Sequence, residues 1–582
     1  MIFRPFRKES IRIQGERSSS LDLARGRLVL ISAFFMLTYM MVAARVVDLT
    51  VIQGALGVGR TVTQAAVVDD KPDTPRADIV DRNGVLLATT LKMSSLYADP
   101  ALISDPVVTA QKLGKIFPDL SYGSLLHKLQ TNGRFVWLRR NLTPAQQYQV
   151  LEIGEPGLGF ERENTRVYPQ GPLASHIIGY TDVDNKGLAG IERSFDNLLG
   201  KGEEPIKLSV DIRLQHVLHR EVSRAMKEFT AQAGVGVIMD VNTGEMLAGV
   251  SLPDFDPADV GEADSDAIFN RMTLGVYELG SMFKIFSTAA LLEKKDAPMS
   301  MTFDASKPLR VGRFKISDYH AENRVMTIPE IFMHSSNIGS ALMGQAVGTQ
   351  GLQDFYRDLG LLNTLNFEIH EVGAPIVPNP WRDVSTLTAS YGHGIATSPL
   401  QMTAAVATIV NGGFFVKPKL VMSDKNDVAG NAPKEANLRV LSERTSHHMR
   451  ELMRLVVTEG TGKSADVAGY SVGGKTGTAE KPGARGYDKK RLMSSFVGVF
   501  PMENPKYAIL VVIDEPHGNK ASYGYATGGW VGAPAVARIV ASMTAILGIP
   551  AQPHESEISD SLSTYVKGME VKGGQLVSYE AN

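Results

Sequence analysis

The segment from Leu28 to Ala44, LVLISAFFMLTYMMVAA, sets seventeen uncharged, mostly apolar residues in a row near the start of the chain. That length is at the lower edge of what a helix needs to cross the hydrocarbon core of a bilayer. Arg45 can snorkel, so that Val46 and Val47 extend the span. Seven basic residues precede the run (Arg4, Arg7, Lys8, Arg12, Arg17, Arg25, Arg27) against three acidic ones, whereas the twenty residues after Ala44 hold only Arg45 and Arg60 as basic groups. This bias puts the N-terminus in the cytoplasm and everything after residue 48 outside. Two other readings stay open. One is a cleaved signal peptide, for which Val42, Ala43 and Ala44 make a small-residue site; the other is a buried core helix. The long charged leader, and an apolar run longer than the ~7–15 residues of a signal h-region, favour a retained anchor.

Beyond the anchor the chain has the balance of a folded protein, with 43% apolar and 21% charged residues over 582 positions, enough for two or three domains. A net charge of −2, with the basic residues gathered near one end, gives no reason to expect nucleic acid as a partner. There is no cysteine, which removes disulfides, thiolate nucleophiles and zinc–thiolate clusters. No HExxH and no phosphate loop occurs either, so no metal and no organic cofactor is expected.

Up to about residue 205 the sequence is rich in turn signals, such as DRNG at Asp81–Gly84 and YPQGP at Tyr168–Pro172, with short β-like pieces between them. From Ile206 the pattern becomes α+β. GVGVIMDVNTGEMLAGVS reads as a hairpin around Asn-Thr-Gly, and SSFVGVFPMENPKYAILVVIDEP as a second hairpin with GYSVGGKTGTAE as a strand beside it. Helices are expected at SMFKIFSTAALLEKK, TIPEIFMHSSNIGSALMGQAV, SPLQMTAAVATIVNG and RTSHHMRELMRLVVTEG, grouped around an antiparallel sheet. MSDKNDVAGNAPKEAN (Met422–Asn437) and the tail after about Pro550 read as exposed connections.

Three clusters carry possible chemistry. In YELGSMFKIF, Ser281 and Lys284 are three apart and share a helix face, so the amine can reach the hydroxyl. Ile285, Phe286, Ala289 and Leu292 would bury the helix around it, and burial lowers a lysine pKa toward that of a useful base. The same pair is equally what one turn of an ordinary helix can carry. In HSSNIG, Ser335 and Asn337 offer a hydroxyl to relay a proton and an amide to hold a substrate amide; the plainer reading is a helix-capping serine pair. In GKTGTAE, Lys475, Thr476 and Thr478 lie along a strand as a cationic, hydrogen-bonding rail for a carboxylate, with Gly477 admitting a ligand backbone; a solvated, glycine-kinked edge strand fits too.

The three clusters together, in this order, resemble the SxxK, SxN and KTG boxes of the penicilloyl serine transferases. RADIVDRNGVLLAT, RVYPQGPLASHIIGY, GLAGIERSFDNLLGKG, LSVDIRLQ and YGHGIATSPLQM extend the likeness to class B penicillin-binding proteins over about residues 76 to 535, nearest to their septal, FtsI type. The resemblance implies an α+β penicilloyl serine transferase fold and a peptidoglycan D,D-transpeptidase. Its expected divisions are a basic leader (1–27), a transmembrane helix (28–48), a non-catalytic pedestal of the dimerisation type (49–205), a transpeptidase domain (206–548) and a polar tail (549–582). Ser281 would attack the penultimate D-Ala carbonyl of a stem peptide, with Lys284 as base. Ser335 would pass the proton toward the leaving group and Lys475 would tune it. Asn337 would hold the substrate amide, and Thr476, Gly477 and Thr478 would receive the donor carboxylate. The backbone N–H groups of Ser281 and Thr478 would form the oxyanion hole. Implied partners are D-Ala-D-Ala stem peptides, β-lactams, the cytoplasmic membrane, and the polytopic glycosyltransferase FtsW with other divisome proteins; the implied place is the bacterial inner membrane, with the catalytic domain periplasmic.

Leu279 and Met282 stand where relatives commonly carry Pro and a small or β-branched residue, and Ala77 where glycine is usual, so altered packing and a local backbone change are expected there. Other functions fit less well. A class A β-lactamase needs an ExxLN-like loop, which is missing between Asn337 and Lys475. A carboxypeptidase usually lacks the preceding module, and a non-catalytic scaffold would not need all three boxes intact. Within class B, an elongation enzyme is the alternative; the modest distance from anchor to Ser281, the basic leader and the short C-terminal end favour the septal type. His393 in YGHG reads as structural, since the serine–lysine pair already supplies a base.

Overall fold

The computed structural model describes residues 31–44, 74–312, 314–422, 438–483, 486–551 and 562–566. The basic leader, the residues after Ala44 up to 73 and nearly all of the connection at 422–437 lie outside the described residues. The chain divides into two units, Met1–Thr74 and Pro75–Asn582. In the first, Ile31–Ala44 forms helix α1. Its large apolar side chains are exposed, Phe34 by 68% and Tyr39 by 80%.

The second unit opens with strands β1 (Ile79–Val80), β2 (Leu86–Ala98), β3 (Val136–Leu142), β4 (Leu158–Val167) and β5 (Ile206–Lys207). β2 is the spine: β4 pairs with it from Thr89↔Val167 to Ala98↔Leu158, β1 pairs with its start at Leu86 and Ala88, and β3 pairs with its end from Ser94 to Ala98 on the edge opposite β4. Three helices, α2 (Pro106–Ile116), α3 (Tyr122–Leu129) and α4 (Pro144–Leu151), complete a small core with Leu96, Leu113, Phe117, Leu129 and Leu138. Each begins where the sequence supplies a cap. Asp105 accepts from the Val107 and Val108 N–H groups ahead of α2, and Thr143 with Gln146 forms a capping box on α4. The short β-like pieces expected here turn out to include a thirteen-residue strand, β2. Its sequence, LLATTLKMSSLYA, hides the strand because different neighbours cover its two halves, so burial comes in patches and not as one alternation.

The signature segments of this region converge on one buried ion network. Glu192 accepts from Arg76 Nε at 2.6 Å and Arg166 Nε at 2.7 Å, and Arg76 also reaches Asp196 at 2.7 Å. The DRNG turn is present: Asp81 accepts from the Asn83 and Val85 N–H groups, and Gly84 takes φ +86°. The other Asp81 oxygen accepts from Ile212 N–H at 3.2 Å, tying the turn to the start of the next domain. Ala77 needs no glycine-only conformation, since its φ is not positive.

The larger domain is built from α5 (Ile212–Glu228), β6 (Ala233–Asp240), β7 (Met246–Leu252), α6 (Lys284–Lys295), α7 (Ile328–His334), α8 (Asn337–Val347), α9 (Pro399–Val410), α10 (Glu443–Thr458), β8 (Gly473–Gly483), β9 (Gly486–Phe500), β10 (Tyr507–Asp514) and α11 (Gly528–Leu547). The sheet runs β8-β9-β10-β6-β7, antiparallel throughout, with both expected hairpins in it. Both faces are buried, so alternate residues serve two cores. In β10, Ala508, Leu510 and Val512 face the larger cluster with α6 and α9, whereas Ile509, Val511 and Ile513 face the one with α5 and α11. That is why these strands read as continuous apolar runs.

Two expectations change. TIPEIFMHSSNIGSALMGQAV is not one helix but two, α7 and α8, broken at Ser335, which takes the left-handed conformation (φ +58°, ψ +44°). The tail is not wholly an exposed connection: Leu562 and Val566 join the core, and Thr327 Oγ1 donates to the Tyr565 carbonyl at 2.8 Å. Among the described residues only α11 is long and apolar enough to cross a membrane, and it is a core helix, with Val531, Val536, Ile539, Val540 and Met543 buried.

Candidate active site

Ser281 sits on a 3₁₀ turn, Gly280–Phe283, that leads into α6. Gly280 has φ +55°, and a Cβ there would stand 2.8 Å from the Thr478 carbonyl oxygen. Glycine is therefore required both for the turn and for its approach to β8. Gly477 is equally constrained, because a Cβ on it would meet the Leu279 carbonyl at 2.6 Å and Met282 Cγ at 3.1 Å. Leu279 and Met282, the two departures from the family pattern, are buried packing residues at this junction.

Lys284 and Lys475 are both fully buried. Lys284 Nζ donates to the Ser335 carbonyl at 2.5 Å, to Ser335 Oγ at 3.1 Å and to Asn337 Oδ1 at 2.8 Å. Lys475 Nζ donates to the same Ser335 Oγ at 2.8 Å, and stands 5.8 Å from the centre of the Phe332 ring. One hydroxyl therefore bridges two amines. None of these acceptors is a carboxylate, so no hydrogen-bonded anion offsets the desolvation of the cations. Burial pulls Lys475 down to about 7. Lys284 is held well below the ordinary lysine range by burial and then by the charge of Lys475, with Asp318 opposing the shift.

The break at Ser335 makes this possible. The left-handed residue ends α7 and turns the hydroxyl toward both lysines, and Ser336 then caps α8 by accepting from Gly339 N–H at 2.9 Å. The capping reading of the serine pair is thus realised at Ser336, while the Ser335 hydroxyl meets both lysines. Asp318 secures the junction from eighteen residues away. It accepts from Ser336 Oγ at 2.7 Å, from Asn337 N–H at 2.5 Å and from Ile338 N–H at 2.9 Å, while Asn337 Nδ2 donates to the Ser317 carbonyl. Sequence reasoning missed Asp318, and nothing in ISDYH marks it, because its partners lie on another element. Thr461, also missed, shares a hydrogen bond with Thr476 at 2.8 Å.

The predicted residues thus fall into a tight centre and a rim. Lys284, Ser335, Asn337 and Lys475 are joined by direct hydrogen bonds. Ser281 is not: among the described residues its hydroxyl has no hydrogen bond, because the Lys284 amine is taken up by the Ser335–Asn337 segment. Thr476, Gly477 and Thr478 line β8, the edge strand of the sheet, and Thr478 Oγ1 accepts from Gly528 N–H at 3.1 Å, which leaves its own proton free to donate. Among the described residues no group of three His, Asp or Glu side chains could hold a metal.

Comparison with known proteins places this arrangement. Residues 234–541 match the family described as "Penicillin binding protein transpeptidase domain", and residues 71–210 that described as "Penicillin-binding Protein dimerisation domain". The chain is 39% identical over 499 residues to the "Probable peptidoglycan D,D-transpeptidase FtsI" of Caulobacter vibrioides, covering 84% of each chain. It is 29% identical to the "Peptidoglycan D,D-transpeptidase FtsI" of Escherichia coli K12, covering 86% of this chain and 88% of that one. Among solved structures, the fold matches penicillin-binding protein 3 of Mycobacterium tuberculosis complexed with ampicillin, with a TM-score of 0.66 and 24% identity over 83% of this chain and 97% of that one.

Proposed function

The chain belongs to the class B penicillin-binding proteins, and on that premise we propose that it is the septal peptidoglycan D,D-transpeptidase of its cell, with Ser281 as nucleophile. The observation that carries the reading is the Ser335 hydroxyl held between two buried amines, Lys284 and Lys475, at the end of the turn that presents Ser281.

Attack by Ser281 Oγ on the penultimate D-Ala carbonyl of a stem peptide needs a neutral amine to take the proton, and a buried lysine without a carboxylate partner is one. Lys284 takes that proton. Ser335 Oγ, in hydrogen-bond reach of both amines, hands a proton to the departing D-Ala nitrogen and is resupplied by Lys475. Asn337, oriented by the Ser317 carbonyl and Asp318, aligns the substrate amide. Thr476 and Thr478 bind the donor carboxylate, and the N–H groups of Ser281 and Thr478 receive the oxyanion, where loss of one donor typically costs about 3–4 kcal/mol. An amine of a second stem peptide then displaces the serine and closes the cross-link. A β-lactam acylates the same serine and stays.

Helix α1 supports a single-pass anchor in the inner membrane. Its apolar side chains are uncovered, and Thr38 satisfies its hydroxyl on the helix's own Phe34 carbonyl at 2.7 Å. The basic leader before it places the N-terminus in the cytoplasm and the catalytic domain in the periplasm. As part of the same proposal, glycan strands come from a partner, for which FtsW is our candidate, within a larger divisome. The domain divisions at 28–48, 49–205 and 206–548 are part of the same proposal.

Fluorescent penicillin labelling of the full chain in detergent tests the reading. Wild type takes a lasting label and Ser281→Ala takes none; an unlabelled wild type defeats every acyl-enzyme version, and rapid release of the label points to a hydrolase. Depletion of the protein produces filaments, and rounded cells would assign it to elongation instead.

A further inference from the structure

A half-buried carboxylate without a cationic partner stands beside the nucleophile. Glu278, three residues before Ser281, accepts from the Tyr487 hydroxyl at 3.0 Å and from Gly394 N–H at 3.2 Å. Glu192, Glu221 and Glu515 each carry two basic partners. Among the described residues, by contrast, no lysine or arginine pairs with Glu278. The one titratable nitrogen near it is His393 Nδ1, 3.9 Å away, and burial pushes that imidazole toward its neutral form. Burial also raises the Glu278 carboxyl. A carboxylate taken partly out of water calls for a counter-charge, and among the described residues none is built in.

The surroundings suit an ammonium. The His393 and Tyr487 rings lie 4.0 Å apart between centroids, and Tyr391 flanks His393 at 6.0 Å. Aromatic faces beside a carboxylate are the chemistry that recognises an amine cation. Three segments converge here: the nucleophile turn, the loop Tyr391–Gly394, and the far end of the β8–β9 hairpin, where Pro482 pairs with Tyr487. The loop lies against the turn, since a Cβ on Gly392 would stand 2.0 Å from the Gly280 carbonyl oxygen. The side chain keeps 18% of its surface, so the group opens to solvent.

We propose that Glu278, framed by Tyr487 and His393, binds the ammonium of the incoming acceptor stem peptide and removes its first proton. The inference rests on the transpeptidase reading and deepens it. The acceptor arrives as R–NH3⁺ and gives one proton to the Glu278 carboxylate, which later passes it to solvent. The neutral amine forms the C–N bond at the acyl carbon, and its second proton goes to neutral Lys284. The C–O bond to Ser281 breaks, Lys284 returns that proton to the serine oxygen, and the third proton stays on the new amide.

The test uses the full chain in detergent, an N-acyl-D-alanyl thioester as donor, and two acceptors: D-alanine, which arrives as an ammonium, and hydroxylamine, which is uncharged at neutral pH. Partition of the acyl-enzyme between acceptor and water is read against acceptor concentration. In Glu278→Gln the half-saturating concentration of D-alanine rises at least tenfold, while that of hydroxylamine moves less than threefold. Equal loss for both acceptors, or loss for neither, overturns the proposal. If Glu278→Gln fails to fold, Glu278→Asp, which keeps the charge, retains the preference for D-alanine over hydroxylamine, and its disappearance there is equally fatal. Absence of acyl-enzyme in wild type would instead refute the transpeptidase reading itself.

Discussion

Two buried clusters of positive charge lie in this chain, and they have opposite designs. In the smaller domain Arg76 and Arg166 share Glu192, whose side chain is completely buried, and Asp196 adds a second anion for Arg76. In the larger domain Lys284 and Lys475 meet only neutral oxygens. Guanidinium groups keep their charge and need an anion in place; amines can shed a proton when none is supplied. The first cluster consequently keeps its charge, whereas the second can give it up. The difference shows that burial of a cation by itself says little about function, whereas the identity of its acceptors says a great deal.

The sharpest way to break this comparison is to remove one member of each cluster. Lys475→Met should lower the second-order rate of acylation by penicillin about 10²–10⁴-fold, the usual range for loss of a proton-transfer group, while leaving thermal stability nearly unchanged, because a desolvated amine is replaced by an apolar chain of similar length. The wild-type rate should fall as pH rises through about 7, where Lys475, the group that resupplies Ser335, loses its proton. The sign for stability follows from the same shift. Above pH 7 and up to the ordinary lysine range, the unfolded chain binds a proton at Lys475 that the folded chain does not, so wild type gains stability relative to Lys475→Met as pH rises across that window. A flat difference in denaturation midpoint would contradict it.

Glu192→Gln tests the other cluster. It strands two buried guanidinium groups and should cost about 3–5 kcal/mol, seen as a large fall in denaturant midpoint, with little change in acylation rate for the fraction that remains folded. A variant with wild-type stability would remove the contrast. The smallest effect is expected at the tail. Truncation after Ala551 exposes the pocket filled by Leu562 and Val566 and should cost about 1–3 kcal/mol after the regained chain entropy is counted, a fall in Tm of roughly 2–6 °C by scanning calorimetry. Because the Tyr565 carbonyl bonds to Thr327, the cap of α7, the same truncation asks whether the helix that ends at Ser335 needs this brace.

Much of the molecule could be read from one dimension. The two hairpins of the catalytic sheet and the helices at 399–410 and 443–458 are local patterns that the structure repeats, although β9 begins at Gly486, ahead of its apolar run; of the apolar run at Leu28–Ala44, the described part Ile31–Ala44 is helical. The order of Ser281, Lys284, Ser335, Asn337 and Lys475 was also legible, since each box lies within a few consecutive residues. Less visible was β2, whose two halves are covered by different strands. The break at Ser335 was invisible: a helix pattern continues on both sides of it, and the residue after the left-handed turn, Ser336, is held by Asp318, eighteen positions before it.

The sequence alone determined which residue types are available and in what local order, because helix periodicity, turn residues and caps act over three or four positions. Only the tertiary structure decided their chemistry. Whether Lys475 is an ammonium or an amine depends on what surrounds it once water is gone, and those groups come from Phe332 and Ser335, far along the chain. The same holds for Glu192, made structural by two distant arginines, and for Glu278, left without any among the described residues. Desolvation and charge pairing are properties of an assembled interior.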